Sequence, residues 1–225
     1  MPTSISNIGE QASLRAQITE TLRAAVISGD LKTGVVYSAP MLATEFGVSP
    51  TPVREAMIDL VKEGLIEAVK NKGFRVAEAS VSEIRDMLEL RLLIEVPTVK
   101  KIAETGLNED QRNVLRPLAE ATLQAAVGKD FLSHVTADMS FHCELLGYSG
   151  NQELVSIVRS LRSRSRLYGL DDKKKHVSLI ESAYEHLELI DLISAKKAFE
   201  VETLMYKHIS RVGTNWTPAL DFPGV

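Results

Sequence analysis

Only one cysteine, Cys143, occurs in the 225 residues. That excludes an intramolecular disulfide framework and leads us to expect a reducing, cytoplasmic setting. Long apolar runs are missing as well. No stretch approaches the ~18 residues needed to cross a bilayer, so no membrane partner is expected. The N-terminus lacks the basic start and apolar core of a secretory signal. Aromatic residues make up 5% of the chain, and strand-favouring runs are few, which leaves a mainly helical protein. Surplus positive charge is absent too, the net charge being −4. Residues 1–77 carry eight basic and eight acidic side chains, so all the excess acid lies beyond them. A neutral module still binds DNA if its cations gather on one face.

The 44% hydrophobic and 25% charged residues are ordinary for a globular protein. After a flexible tail over 1–12, Leu14, Ile18, Leu22 and Val26 recur at helical spacing and predict a helix ending near Ser28, before Gly29-Asp30. Val35-Val36-Tyr37 reads as a short extended connection. Ser38 is placed to cap a second, short helix with Pro40 in its first turn and Met41, Leu42 and Phe46 buried. Gly47-Val48 then makes a tight turn into a third helix. Ser49 is the expected N-cap there, with Pro50 and Pro52 in the first turn, where a missing N–H costs little. Val53, Ala56, Met57 and Leu60 form the apolar stripe of this helix, and Thr51 and Arg54 lie off it. Two short apolar runs around Asn71-Lys72-Gly73 read as a β-hairpin. Residues 13–79 thus read as a winged helix-turn-helix, the alternative being a small α+β domain with no nucleic-acid role.

From Ser80 only helical stripes follow: Val81 to Glu104, Glu109 to Val127, Phe131 to Gly147, Leu154 to Gly169, Val177 to Ile193 and Ala195 to Val212. Residues 80–213 form an all-α bundle, and 214–225, with Trp216 and two prolines, a C-terminal tail. The expected fold class is mainly α, an N-terminal winged helix-turn-helix followed by a C-terminal helical bundle.

Most soft metal ligands lie in the second half. Asp138 and His142 stand four residues apart, about 40° apart around one helix. By spacing alone such a pair more often lies on a solvated helix face than binds a metal. His186 and His208 fall on the last two helices, which short loops make antiparallel neighbours, so one carboxylate and three imidazoles are able to converge. His134 lies one step further back, about 80° from His142, and is left out of that set. Cys143 points about 100° away from His142 and reads as a small core residue.

The run from Leu22 to Val76 resembles the DNA-binding domain of the GntR family of bacterial transcription regulators. The resemblance rests on Ile27-Ser28-Gly29-Asp30-Leu31 with Gly34, Leu42-Ala43, GVSPTPVREAM at 47–57, EGLIE at 63–67 and NKGFRV at 71–76. The helical part resembles the effector domain (FCD) of the FadR branch, and six helices rather than seven point to its VanR-like subgroup. The resemblance implies a cytoplasmic homodimer, not an enzyme. It implies a repressor that binds double-stranded operator DNA and responds to a small organic acid.

The same resemblance assigns DNA contacts to Arg54, Ser49 and Thr51, and to Lys72 and Gly73 at the wing. Many members have arginine where this chain has Pro50, which removes one guanine-reading side chain and puts more weight on Arg54. Without the family, Arg54 reads as the partner of Asp59 or Glu55. Asp138-Met139-Ser140-Phe141-His142, the pair Glu185-His186 and the final Tyr206-Lys207-His208 match the family's metal pattern. Asp138, His142, His186 and His208 are the implied ligands of a divalent ion, Zn by default, with Ni or Mn compatible. Arg91, in an R-x-x-x-E pattern, is a candidate for the effector carboxylate, its alternative being an ion pair with Glu95. Asn151 is a further effector candidate, as are Arg159, Arg162, Arg164 and Arg166.

Overall fold

The computed structural model describes residues 14–78, 80–165 and 173–216, except the side chains of 28, 173–177 and 212–216. The expected tail over 1–12, the chain beyond 216, Arg166 and the side chain of His176 lie outside the described residues. The chain divides into two compact units, Met1–Ala77 and Glu78–Val225.

The first unit contains α1 (Leu14–Ser28), β1 (Val36–Tyr37), α2 (Ala39–Phe46), α3 (Pro50–Lys62), β2 (Ile66–Val69) and β3 (Gly73–Val76). Ile18, Leu22 and Val26 of α1 are buried, as are Val53, Ala56, Met57 and Leu60 of α3, and the two helices pack on each other. Two forked ion pairs fasten α1 to α3. Arg15 reaches both oxygens of Asp59 at 2.6 and 2.5 Å, and Arg23 those of Glu63 at 2.9 and 2.6 Å.

The Ser38 hydroxyl accepts from Met41 N at 3.3 Å, and Gly47 takes φ 65 to end α2. Ala39, Leu42 and Ala43 bury the single packed face of this short helix. Met41, expected inside, is 43% exposed, because it lies about 160° around the axis from both Ala39 and Ala43. Tyr37 and Val36 do more than connect. They pair with β3 to give a three-stranded sheet in the order β1-β3-β2, with Glu67 opposite Arg75 across the hairpin.

The second unit has six helices among its described residues: α4 (Val81–Thr105), α5 (Glu109–Gly128), α6 (Phe131–Gly147), α7 (Gln152–Ser165), α8 (Lys173–Ser194) and α9 (Ala198–Trp216). Capping boxes open α4 (Ser80/Glu83) and α5 (Asn108/Gln111), and Asp130 caps α6. The helix expected from Val177 begins earlier, at Lys173. The last helix begins at Ala198 rather than Ala195, since Lys196 adopts φ 57 and Lys197 N closes on Leu192 O at 3.0 Å. It continues to Trp216, beyond the residue where a tail was expected. Packing of α4 on α7 and α9, and of α5 on α6 and α8, encloses a core that includes Leu88, Val99, Leu115, Phe141, Ile190 and Met205. Among the described residues no helix is long and apolar enough to cross a membrane.

Candidate metal centre and DNA-reading helix

Burial of the α3 stripe turns Ser49, Thr51 and Arg54 to the surface. The acidic partners considered for Arg54 are engaged elsewhere: Asp59 is forked onto Arg15, and Glu55 lies 3.8 Å from the same guanidinium. Arg54 makes no ion pair or hydrogen bond among the described residues. Ser49 has the backbone of an N-cap (φ −71, ψ 154), yet its hydroxyl caps nothing. Of the two N–H groups a cap accepts from, that of the third helical residue is missing, because that residue is Pro52.

At the wing, Lys72 is exposed and its N–H donates to Val69 O at 3.0 Å. Gly73 has φ 134, and a Cβ there would collide with the Tyr37 carbonyl oxygen. The glycine is therefore required by the β1–β3 pairing, independently of any approach to DNA.

In the second unit, α6 presents Asp138 and His142, α8 presents His186 and α9 presents His208. All four are buried, with one donor atom from each lying within 4.8 Å of the others. His142 Nε2 is 3.1 Å from both His186 Nε2 and His208 Nε2. Asp138 Oδ1 stands 3.4 Å from His186 Nε2 and 3.8 Å from His142 Nε2. A proton on His142 Nε2 bridges to only one of the two facing nitrogens, whereas a cation accepts all the lone pairs. Donors ~2.1 Å from a common ion stand about 3.0 Å apart at right angles and about 3.4 Å apart at the tetrahedral angle. The donor set and its spacing fit a divalent transition metal.

Electrostatics keep the lone pairs available. Burial holds His142 well below the ordinary imidazole range, helped by the Arg162 guanidinium and the two neighbouring rings. Burial also lowers His208, although Glu185 opposes the shift. His208 Nδ1 donates to Glu185 Oε2 at 3.0 Å, which leaves Nε2 bare and aimed at the cluster. Arg211 donates to the other Glu185 oxygen at 2.6 Å. Burial pushes the Glu185 carboxyl up, but the His208 and Arg211 contacts outweigh it and lower it overall.

Behind Asp138 lies a buried ionic chain. Arg162 Nη1 donates to Asp138 Oδ2 at 3.2 Å, while its Nε and Nη2 donate to Glu95 at 3.1 and 2.5 Å. Arg91 Nε donates to Glu95 Oε1 at 2.8 Å. Burial raises the Glu95 carboxyl, yet the guanidinium groups of Arg162 and Arg91 outweigh it and hold it below the usual range. Burial and the Arg162 charge bring Arg91 down to about 10. The Arg91–Glu95 pair is therefore present, and among the described residues it is the only bond Arg91 makes, so the ends of its fork stay uncommitted.

Asn151 does not join this centre. It is exposed, and its side chain accepts from Leu154 N at 3.1 Å, opening α7. His134 Nδ1 meets Thr122 O at 3.1 Å and lies outside the donor cluster. Cys143 is buried, its thiol 3.8 Å from Met139 Sδ. The bridging role of Arg162 and the Glu185–His208 bond escaped the sequence reading, since each joins residues from different helices. The adjacency Glu185-His186 was the one available signal for Glu185.

The first unit is thus a winged helix-turn-helix and the second an all-helical bundle with a buried three-histidine, one-aspartate cluster. Residues 14–76 match the bacterial regulatory proteins of the gntR family, and residues 86–211 match the FCD domain. The chain belongs to the GntR family, in its FCD-containing branch. It is 27% identical over 143 residues to the uncharacterized HTH-type transcriptional regulator YdhC of Bacillus subtilis, a stretch covering 63% of each protein. To the gluconate operon transcriptional repressor of Bacillus licheniformis it is 30% identical over 99 residues, 44% of this chain and 40% of that one. The chain thus spans less than two thirds of the length of these curated relatives. The structure of E. coli McbR/YncC superposes with a TM-score of 0.74 at 22% identity, covering 89% of this chain and 95% of that one. At that identity the likeness describes the fold.

Proposed function

We propose that this protein is a homodimeric DNA-binding transcription regulator, acting as a repressor, whose grip on operator DNA answers to a small carboxylate bound beside a divalent ion. One observation carries the reading: four buried metal-type donors converge in a chain whose other unit exposes an uncommitted arginine at the start of α3. Asp138, His142, His186 and His208 hold the ion, with Zn²⁺ the default for this donor set and Ni²⁺ or Mn²⁺ compatible with it. Such an ion, when bound, supplies Lewis-acid positions for an effector oxygen. The free end of the Arg91 fork is suited to the effector carboxylate. Six helices among the described residues of the second unit support the VanR-like placement, and the name of the gluconate operon repressor supports repression.

On the DNA side, Arg54 reaches base edges or phosphates, Ser49 and Thr51 the backbone, and Lys72 and Gly73 the minor groove. The unspent Ser49 hydroxyl supports a phosphate contact. An effector shifts operator binding only if it binds the DNA-competent and DNA-incompetent states with different affinity.

The test is a titration of operator affinity on chelated protein, with metal restored in the presence and absence of organic acids. Metal-dependent release by an organic acid supports the reading. Switching by metal alone would make the protein a direct metal sensor instead. Turnover of a substrate without binding to genomic DNA would make it a hydrolase and end the proposal.

A further inference from the structure

The outward face of α3 holds one side chain that the DNA contacts of Ser49, Thr51 and Arg54 leave unused. Measured around the axis from Arg54, Ile58 lies at about 40°, Thr51 at about 60° and Lys62 at about 80°. Ile58 therefore stands within this arc, turned away from the buried stripe, and it is 43% exposed. A single exposed isoleucine is ordinary on a protein surface. This one differs in its setting. The acids beside it are drawn back towards α1, since Arg15 forks onto Asp59 and lies 3.8 Å from Glu55. Lys62, 3.5 Å from Asp59, leans the same way. What the centre of the face presents outward is the Arg54 guanidinium and, one turn on, the Ile58 alkyl group. A β-branched residue also gives up helix propensity there that a straight polar chain would keep.

We propose that Ile58 covers a thymine methyl in the major groove and makes each operator half-site require a T·A pair beneath it. The inference rests on the DNA-reading assignment of α3 and deepens it. Among the base edges of the major groove, only thymine offers an apolar group, its C5 methyl. Isoleucine neither donates nor accepts a hydrogen bond. It gains by covering that methyl, and over a G·C pair it leaves the cytosine amino group or the guanine acceptors without a partner. Discrimination thus comes from attraction to one base pair and a penalty on the other. Ile58 lies four residues, about 6 Å, along the axis from Arg54, and base pairs rise about 3.4 Å. With α3 lying in the groove, the thymine falls roughly two base pairs from the position that Arg54 reads.

The test uses the full chain with Zn²⁺ and no organic acid, and an operator selected by it from a random duplex library. Each thymine is replaced in turn by uracil, which removes the methyl alone. Wild type should weaken roughly fourfold at one thymine per half-site, about two base pairs from the position whose preference Arg54→Ala erases. Ile58→Ala should bind the unmodified operator roughly fourfold more weakly and be indifferent to the same uracil. A C·G pair at that position should cost wild type at least about fivefold. Methylating its cytosine at C5 should restore part of that loss for wild type and none for Ile58→Ala. The base-analogue measurements on wild type need no variant, so they stand if Ile58→Ala loses helicity. If wild type tolerates every uracil, while Arg54→Ala still erases a preference, this inference falls and the DNA-reading helix stands. Equal weakening of Ile58→Ala on operator and random DNA also overturns the inference, because a contact with one base changes specific binding only. A library that yields no enriched sequence overturns both.

Discussion

Arg162 Nη1 donates to Asp138 Oδ2 at 3.2 Å, so the carboxylate whose other oxygen faces three imidazoles is held from behind by a guanidinium. The same guanidinium binds Glu95, which ties α4, α6 and α7 together at one point. Replacing Arg162 with Met removes one partner from two buried carboxylates. The expected loss is about 3 kcal/mol of stability or more and roughly 10–100-fold in metal affinity. Denaturant unfolding and chelator competition measure the two effects. Wild-type values in both would remove Arg162 from the site.

Glu185→Gln keeps an acceptor for His208 Nδ1 but removes the negative charge behind the ring. Metal affinity should fall roughly tenfold. His208→Ala should lose the fourth ligand and weaken binding much further. Competition against a chromophoric chelator reports both, and equal effects of the two variants would contradict the assigned roles.

Arg54→Ala touches no hydrogen bond or ion pair among the described residues, so folding should be unaffected. Specific DNA affinity should drop by about 1–3 kcal/mol, roughly 5–150-fold. Operator binding at fixed salt, paired with a thermal melt, checks this. Retained specific affinity would refute the DNA-reading role of Arg54.

Gly73→Ala combines a positive φ with a collision against the Tyr37 carbonyl oxygen. We expect at least about 2 kcal/mol of destabilisation of the winged unit. Amide exchange at β1 and β3 should rise while protection in α4–α9 is retained. Unchanged protection at both strands would contradict the steric account.

The metal-stripped protein should lose stability on acidification. Burial holds His142 and His208 below the ordinary imidazole value in the folded state, so below about pH 6.5 the unfolded chain binds more protons than the folded one. Their contribution is complete above that pH and declines as pH falls, by up to about 1.4 kcal/mol per pH unit for each ring. Denaturation of chelated protein between about pH 7.5 and pH 5.5 tests the sign. A flat or rising profile would mean that the rings are not held neutral.

Local periodicity was sufficient for much of the molecule. The stripe Val53, Ala56, Met57 and Leu60 determined which side of α3 is buried and hence that Arg54 faces outward, because a helix maps spacing directly onto direction. The four-residue step from Asp138 to His142 likewise placed two donors on one face. Convergence with His186 and His208 was only permitted by the sequence. It is produced by the packing of α6 on α5, α5 on α8 and α8 on α9, which depends on contacts between residues far apart in the chain. Tertiary structure alone decided that Glu185 orients His208, that Arg162 joins Glu95 to Asp138, and that Gly73 is needed beneath the Tyr37 carbonyl. It also moved Asn151 from the site to the cap of α7, and Met41 from the interior to the surface. Each of these depends on what lies across a gap between elements, which spacing along one element does not encode.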